Sequence, residues 1–282
     1  MQIVVLGMHR SGTSMVTGLL ARMGCWIGTE AERTPVRADN LRGDQERRDV
    51  WQLNEDLLAS LGASWWRAAP FDLGDIAFEP RRELERRARA IVRLLDAHRP
   101  WVIKDPRLCL CFPVWRAALE TPVCVLVHRR PGEVAQSLRT RNGLDLAAGV
   151  ALWELHVRAA LRHSRGLPRV LASHGQLVAD PIAATAALYS ELLRLGVSGL
   201  RAPSAADIAA WVEPALYRAR IDTRLEDELL NARQRALRDA LADGSALTDA
   251  DPGPAPSRDA PLDSDRPDRC PDPDHPRWMS PS

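Results

Sequence analysis

Apolar residues fall along this chain in two alternating patterns. The first is the short, continuous, β-branched run: Gln2-Ile3-Val4-Val5-Leu6, Trp101-Val102-Ile103, Val123-Cys124-Val125-Leu126-Val127 and Val170-Leu171-Ala172. Runs of this length and composition predict strands buried on both faces. The second has helical spacing. Met15, Val16, Leu19, Leu20 and Met23 form one stripe, and Val50, Leu53, Leu57, Leu58 and Leu61 predict a helix over about 44–61. Leu84, Ala88, Ile91, Val92 and Leu95 predict another over 81–99, and further helices are expected over 131–141, 146–163, 181–195, 205–212 and 225–241, with one through Trp115 after the second strand. Residues 29–41 are polar and interrupted by Pro35, a loop. Residues 64–79, with Trp65, Trp66 and Phe71, read as a lid or wall.

Strands alternating with helices predict an α/β fold with a central parallel β-sheet flanked by helices and right-handed crossovers. Ligands of such sheets bind beyond the carboxyl ends of the strands. The charged clusters at Arg10, Lys104 and Arg129 each follow a strand, so they are expected to converge on one cleft. From about residue 249 the composition changes. Nine of the 21 prolines lie from Pro252 to Pro281, among Asp, Ser and Arg. That stretch cannot bury a core, so 1–248 is expected as the folded domain and 249–282 as a disordered tail.

A formal net charge of +1 argues against a general nucleic-acid or membrane-surface binder. No apolar run approaches the roughly 18 residues of a membrane span. The first residues enter a strand without the features of an export signal, so a cytoplasmic location is expected. Five cysteines, Cys25, Cys109, Cys111, Cys124 and Cys270, are read as free thiols, since no Cys/His set has zinc-ligand spacing and no metal site is expected. Oligomeric state is not legible. Of 38 basic residues, only Lys104 is lysine. Either its point charge is used or its place is an accident of composition.

Between the first strand and its helix lies Gly7-Met8-His9-Arg10-Ser11-Gly12-Thr13-Ser14. A glycine-flanked loop at a helix N-terminus aims several backbone N–H groups at one point, a site for an oxyanion. The pattern is nearly that of a nucleotide P-loop, but Thr13 stands where the lysine should be and the cation has moved to Arg10. Glu46 falls four residues before Val50, on the inward stripe of its predicted helix. Glu55, half a turn away, is expected to face solvent. An acid on a buried face needs a partner, whereas an acid in a frayed first turn serves the helix dipole; spacing leaves both open.

These residues together resemble the sulfotransferases that use 3′-phosphoadenosine 5′-phosphosulfate (PAPS). Arg10-Ser11-Gly12-Thr13-Ser14 is similar to the loop that holds the 5′-phosphosulfate in that family. Arg129 and Ser137, eight residues apart, match the pair that binds the 3′-phosphate, and Lys104-Asp105-Pro106-Arg107 looks like the bacterial branch. The resemblance covers roughly 1–180. It implies a P-loop NTPase-like sulfotransferase fold and PAPS as donor without a metal. It also implies a hydroxyl or amine of a small-molecule or carbohydrate acceptor, Glu46 as catalytic base, and Lys104 on the leaving phosphate. Asp44-Gln45 stand where relatives carry two aromatics, and His174-Gly175-Gln176 where they carry Tyr-Glu-Asp. A P-loop kinase or NTPase, with Asp105 on magnesium, is the alternative; a non-catalytic nucleotide-binding protein is a third.

Overall fold

The computed structural model describes residues 1–35, 43–68, 71–213 and 219–248. The expected tail at 249–282 and Cys270 lie outside them.

Four strands, β1 (Gln2–Leu6), β2 (Trp101–Lys104), β3 (Pro122–His128) and β4 (Arg169–Ser173), form one sheet in the order β2-β1-β3-β4. All pairings are parallel, with Gln2 opposite both Trp101 and Pro122, and Cys124 opposite Arg169. The uniformly apolar strands follow from this arrangement, because helices cover both faces. Ile3 and Val5 pack with α1 (Thr13–Arg22), α8 (Pro181–Arg194) and α9 (Ala205–Trp211). Val4 and Leu6 point the other way, into a larger core with α2 (Arg48–Ser60), α3 (Phe78–Asp96), α4 (Leu108–Arg116) and α6 (Leu146–His163). Successive residues on a strand face opposite sides, so one apolar run supplies both cores.

Three local outcomes differ from the sequence reading. The α2 helix begins at Arg48 rather than near 44, because Gln45 has φ 58°, a left-handed conformation that a right-handed helix cannot contain. A short helix, α7 (His174–Ala179), follows β4 directly; the Ser173 hydroxyl accepts from the Gln176 N–H and caps it. The single helix expected over 225–241 is two, α10 (Thr223–Leu229) and α11 (Ala232–Asp243). Leu230 leaves the helical conformation at ψ 136°, and Asn231 restarts the chain with a capping box to Gln234.

Most arginines of α3 meet acids of the same helix, and Arg87 meets Asp56 of α2. Arg81 pairs with Glu85 and Arg86 with Glu83 on the solvent side. Cys25, Cys109, Cys111 and Cys124 are free and buried; burial pushes the thiols of Cys109 and Cys124 up to about 12. Among the described residues no helix is long and apolar enough to cross a membrane.

Candidate active site

The loop from Gly7 to Gly12 is shaped by close approaches that only glycine allows. A Cβ on Gly7 would sit 2.7 Å from the Val127 carbonyl oxygen and 2.8 Å from Thr13 Cγ2. Gly12 has φ 92°, and a Cβ there would come within 2.7 Å of the His174 ring. Helix α1 therefore opens on a residue with no side chain to cap it, and its first N–H groups are turned toward the loop. The Ser11 N–H donates to the Met8 carbonyl at 3.1 Å and closes the turn. Ser11 is 1% exposed, and its buried hydroxyl has no hydrogen-bond partner among the described residues.

Arg10 has φ 68°. A non-glycine residue in that region costs about 1–3 kcal/mol and persists only where its surroundings hold it. Two contacts do so. Arg129 Nη1 donates to the Arg10 carbonyl at 3.1 Å, and Arg10 Nε donates to the Ser137 hydroxyl at 3.0 Å. Ser137 lies on α5 (Pro131–Asn142), which begins after β3. Arg129 also donates to Glu133, four residues on, at 2.9 Å and to the Ala219 carbonyl at 2.7 Å. Arg10, Arg129 and Ser137 are thus brought into one hydrogen-bonded chain, with Arg10 as its middle.

Lys104, at the end of β2, reaches the same loop from the other side. Its ammonium donates to Glu46 at 2.7 Å and to the Ser14 hydroxyl at 3.2 Å, and Ser14 donates to the Asp44 carbonyl. Glu46 stands on neither of the helical positions considered from spacing. It lies in the extended segment before α2, directly after left-handed Gln45, buried against Lys104. Among the described residues, Arg10 and Gln45 are the two non-glycine residues with positive φ. Each lies in one of the two loops that frame this site.

Asp105 and Arg107 are committed elsewhere. Asp105 Oδ2 accepts from Asn54, and Oδ1 accepts from the Arg107 N–H and guanidinium. Asn54 in turn accepts from Trp115 at 2.7 Å. Glu55, expected in solvent, instead pairs with Arg107. The buried guanidinium needs a second carboxylate, and that demand overrides the outward placement given by helical spacing.

Two contributors were not read from the sequence, and a third, His174, was marked there only as a departure from the resembled pattern. Glu133 is the acid on Arg129, four residues away on α5, and this i,i+4 spacing was a visible signal. Glu226, fully buried, accepts from the Gly132 N–H and from Arg130, both at 2.9 Å, and so fastens α10 to the start of α5. No local pattern marks it, because these two partners lie more than ninety residues away. His174 forms the wall behind Gly12.

Burial pushes the Glu46 carboxyl up to about 7, against the opposing pull of the Lys104 charge. The native state therefore holds a proton that the unfolded chain releases near 4.5. The stability linked to that proton is complete below pH 4.5 and is lost as pH rises through about 7. Glu46→Gln should remove this part of the pH dependence. Urea midpoints at pH 5 and pH 8 check it; an equal change for both proteins would place the titration elsewhere.

No protein-family model matches the chain, and no curated protein matches it in sequence. Among solved structures it is similar to the sulfotransferase domain of the olefin synthase of Synechococcus PCC 7002. Identity is 19%, the match covers 87% of this chain and 94% of that one, and the TM-score is 0.43.

Proposed function

We propose that this chain transfers a sulfuryl group from PAPS to a hydroxyl or amine of a small-molecule or carbohydrate acceptor. The observation that carries this reading is the joining of two groups suited to oxyanions, a loop at a helix N-terminus and an arginine–serine pair, at one end of the sheet beside a buried lysine–glutamate pair. The first group is the loop 10–14, with the orphaned Ser11 hydroxyl and the opening N–H groups of α1. The second is Arg129 with Ser137 at the start of α5. The residues fit a donor with phosphates at two positions. A buried hydroxyl without a partner is costly unless a ligand takes it, and the Arg129 guanidinium already holds one oxyanion, the Glu133 carboxylate.

In this reading Ser11, Gly12, Thr13 and Ser14 hold the 5′ side and Arg10 bridges to the second pocket. Arg129 and Ser137 hold the 3′-phosphate. The bound donor supplies an activated sulfuryl group on a phosphate leaving group. Glu46 accepts the acceptor's proton on its carboxylate, and Lys104 Nζ, a compact charge, neutralises the oxygen from which the sulfuryl group departs. Charge placement of this kind is what such transfers depend on. The kinase reading is not favoured: Thr13 replaces the P-loop lysine, and both oxygens of Asp105 accept hydrogen bonds from Asn54 and Arg107.

Calorimetry tests the donor. 3′-Phosphoadenosine 5′-phosphate should bind more tightly than ATP, and equally well without magnesium. Equal binding of ATP, or binding only with the metal, would return the site to the NTPases.

With labelled PAPS and cell-extract metabolites, the wild type should transfer label. Its kcat should rise with pH through about 7 as Glu46 ionises. Glu46→Gln should lower kcat by about 10²–10⁴-fold, the range of general base catalysis, and leave nucleotide affinity nearly unchanged. Full turnover by the variant would assign the base to another group.

Arg129→Ala separates the two pockets. A hydrogen bond to a charged group is worth about 1.5–3 kcal/mol, so the 3′-phosphorylated nucleotide should bind roughly 10–150-fold more weakly. Adenosine 5′-phosphosulfate, which lacks that phosphate, should lose less, only what comes from loosening Arg10. Equal weakening of both would leave Arg129 with its structural role alone.

A further inference from the structure

The carboxyl of Glu46 meets Lys104, but the residues that fix its backbone belong to another segment. Residues 32–34 run beside the stretch that enters α2, and each of four consecutive residues there is tied to them. Arg33 Nη1 donates to Gln45 Oε1 at 2.7 Å, and the Thr34 N–H donates to the Glu46 carbonyl at 2.8 Å. Arg47 pairs with Glu32 at 3.3 Å, and Arg48 Nε donates to the Arg33 carbonyl at 2.9 Å. Arg33 and Arg47 form an antiparallel bridge. The segment is a strap over the approach to the helix.

Arg47 is the strongest of these ties. Its backbone is extended, with φ −80° and ψ 136°, and successive side chains of an extended chain leave on opposite sides. Glu46 turns to Lys104, and the buried Arg47 guanidinium turns to two other acids. Nε and Nη2 donate to the two oxygens of Asp49 at 3.1 and 2.7 Å, while Nη1 pairs with Glu32. Asp49 also accepts from the Val50 N–H at 2.8 Å, which fastens the fork to the first turn of α2. Gly28 leaves room for it: a Cβ there would stand 2.8 Å from Nη1.

A bidentate arginine–carboxylate pair fixes direction as well as distance. One held between a strap and a helix start leaves the backbone between them little freedom. Arg47 reaches Glu46 only through the chain they share.

We propose that Arg47 is a positioning residue. Its fork, fastened between Glu32 and Asp49, fixes the backbone at Glu46 and so holds that carboxylate against Lys104. This deepens the sulfuryl-transfer reading, on which it rests for Glu46 being the base.

The full-length chain, with ¹³C at the glutamate carboxyls, is titrated by NMR. The Glu46 signal is the one missing from Glu46→Gln. Lys104 and Asp105 at the end of β2, Arg107 before α4 and Asp44 beside it all bear on this carboxyl, and none is altered in the variants below. Arg47→Met keeps much of the side-chain volume without the fork, and such replacement of a buried ion is often neutral for stability. In the wild type Glu46 should titrate near 7, since burial outweighs the pull of Lys104. In Arg47→Met the loosened carboxyl gains water, so its midpoint should fall by at least about one pH unit toward the ordinary 4.5. Removing a positive charge without moving the carboxyl would shift it upward instead. Label transfer from PAPS should fall in kcat by about 10–100-fold, the loss that a displacement of about 1 Å brings, with its pH midpoint lowered in step. KM for PAPS and affinity for 3′-phosphoadenosine 5′-phosphate should stay as in the wild type. Glu32→Gln, which slackens the strap side alone, should move both readouts the same way by less. It decides the matter if Arg47→Met does not fold.

A Glu46 midpoint that stays near 7 or rises would overturn the proposal and leave Arg47 a structural ion. A nucleotide affinity that falls as far as kcat would do the same. If the wild type transfers no label yet the carboxyl moves as expected, the transfer reading fails and the hold of Arg47 on Glu46 stands. Transfer by the wild type with an unmoved carboxyl gives the reverse.

Discussion

The Arg129 guanidinium joins three parts of the chain that are far apart in sequence. It donates to the Arg10 carbonyl in the first loop, to Glu133 on α5 and to the Ala219 carbonyl before α10. A cation this deeply buried is tolerable only with a carboxylate beside it and its remaining donors engaged. The contacts are therefore conditions on the fold as well as features of the site. The strained conformation of Arg10 depends on this clamp, and the position of α10 depends on it together with Glu226. Arg129 carries the connections while Glu133 balances its charge.

The lysine–glutamate pair on the other side of the loop follows a different logic. An arginine-rich chain could have placed a guanidinium at the end of β2, yet the one lysine stands there. Its ammonium is compact enough to serve both Glu46 and the Ser14 hydroxyl. Left-handed Gln45 delivers Glu46 to this point, and Arg33 holds the Gln45 side chain through a 2.7 Å hydrogen bond. A helical start at residue 44 would have carried the carboxylate along the α2 axis, as its periodicity suggested. Backbone strain at two residues is thus the means by which two loops present charge to one space.

Much of the fold was legible because burial imposes local periodicity. The Leu146–His163 helix has the limits its apolar spacing predicted, and the strands lie where the β-branched runs fall. The failures have physical causes. Nothing in Asp44-Gln45-Glu46 announces a positive φ, and Leu230-Asn231 interrupts a helical pattern that continues on both sides. Glu55 was misplaced because spacing records which face a residue is on, not that Arg107 will reach around for it. In the site, strand ends and loop glycines showed where charges would gather. The exchange of partners, Arg10 with Ser137 and Arg129 with Glu133, needed three dimensions.

The sheet order has a consequence for how the protein is made. The first strand is an inner one, and its two neighbours begin at residues 101 and 122. During synthesis β1 leaves the ribosome with no strand of this sheet to pair with, its apolar faces open, until β2 follows about a hundred residues later. The loop behind it acquires its shape later still, when Ala219 arrives to complete the clamp on Arg129. Contacts of such long sequence separation are slow to form, and uncovered strands are open to aggregation in the meantime. The shape of this loop is therefore among the last features the nascent chain gains.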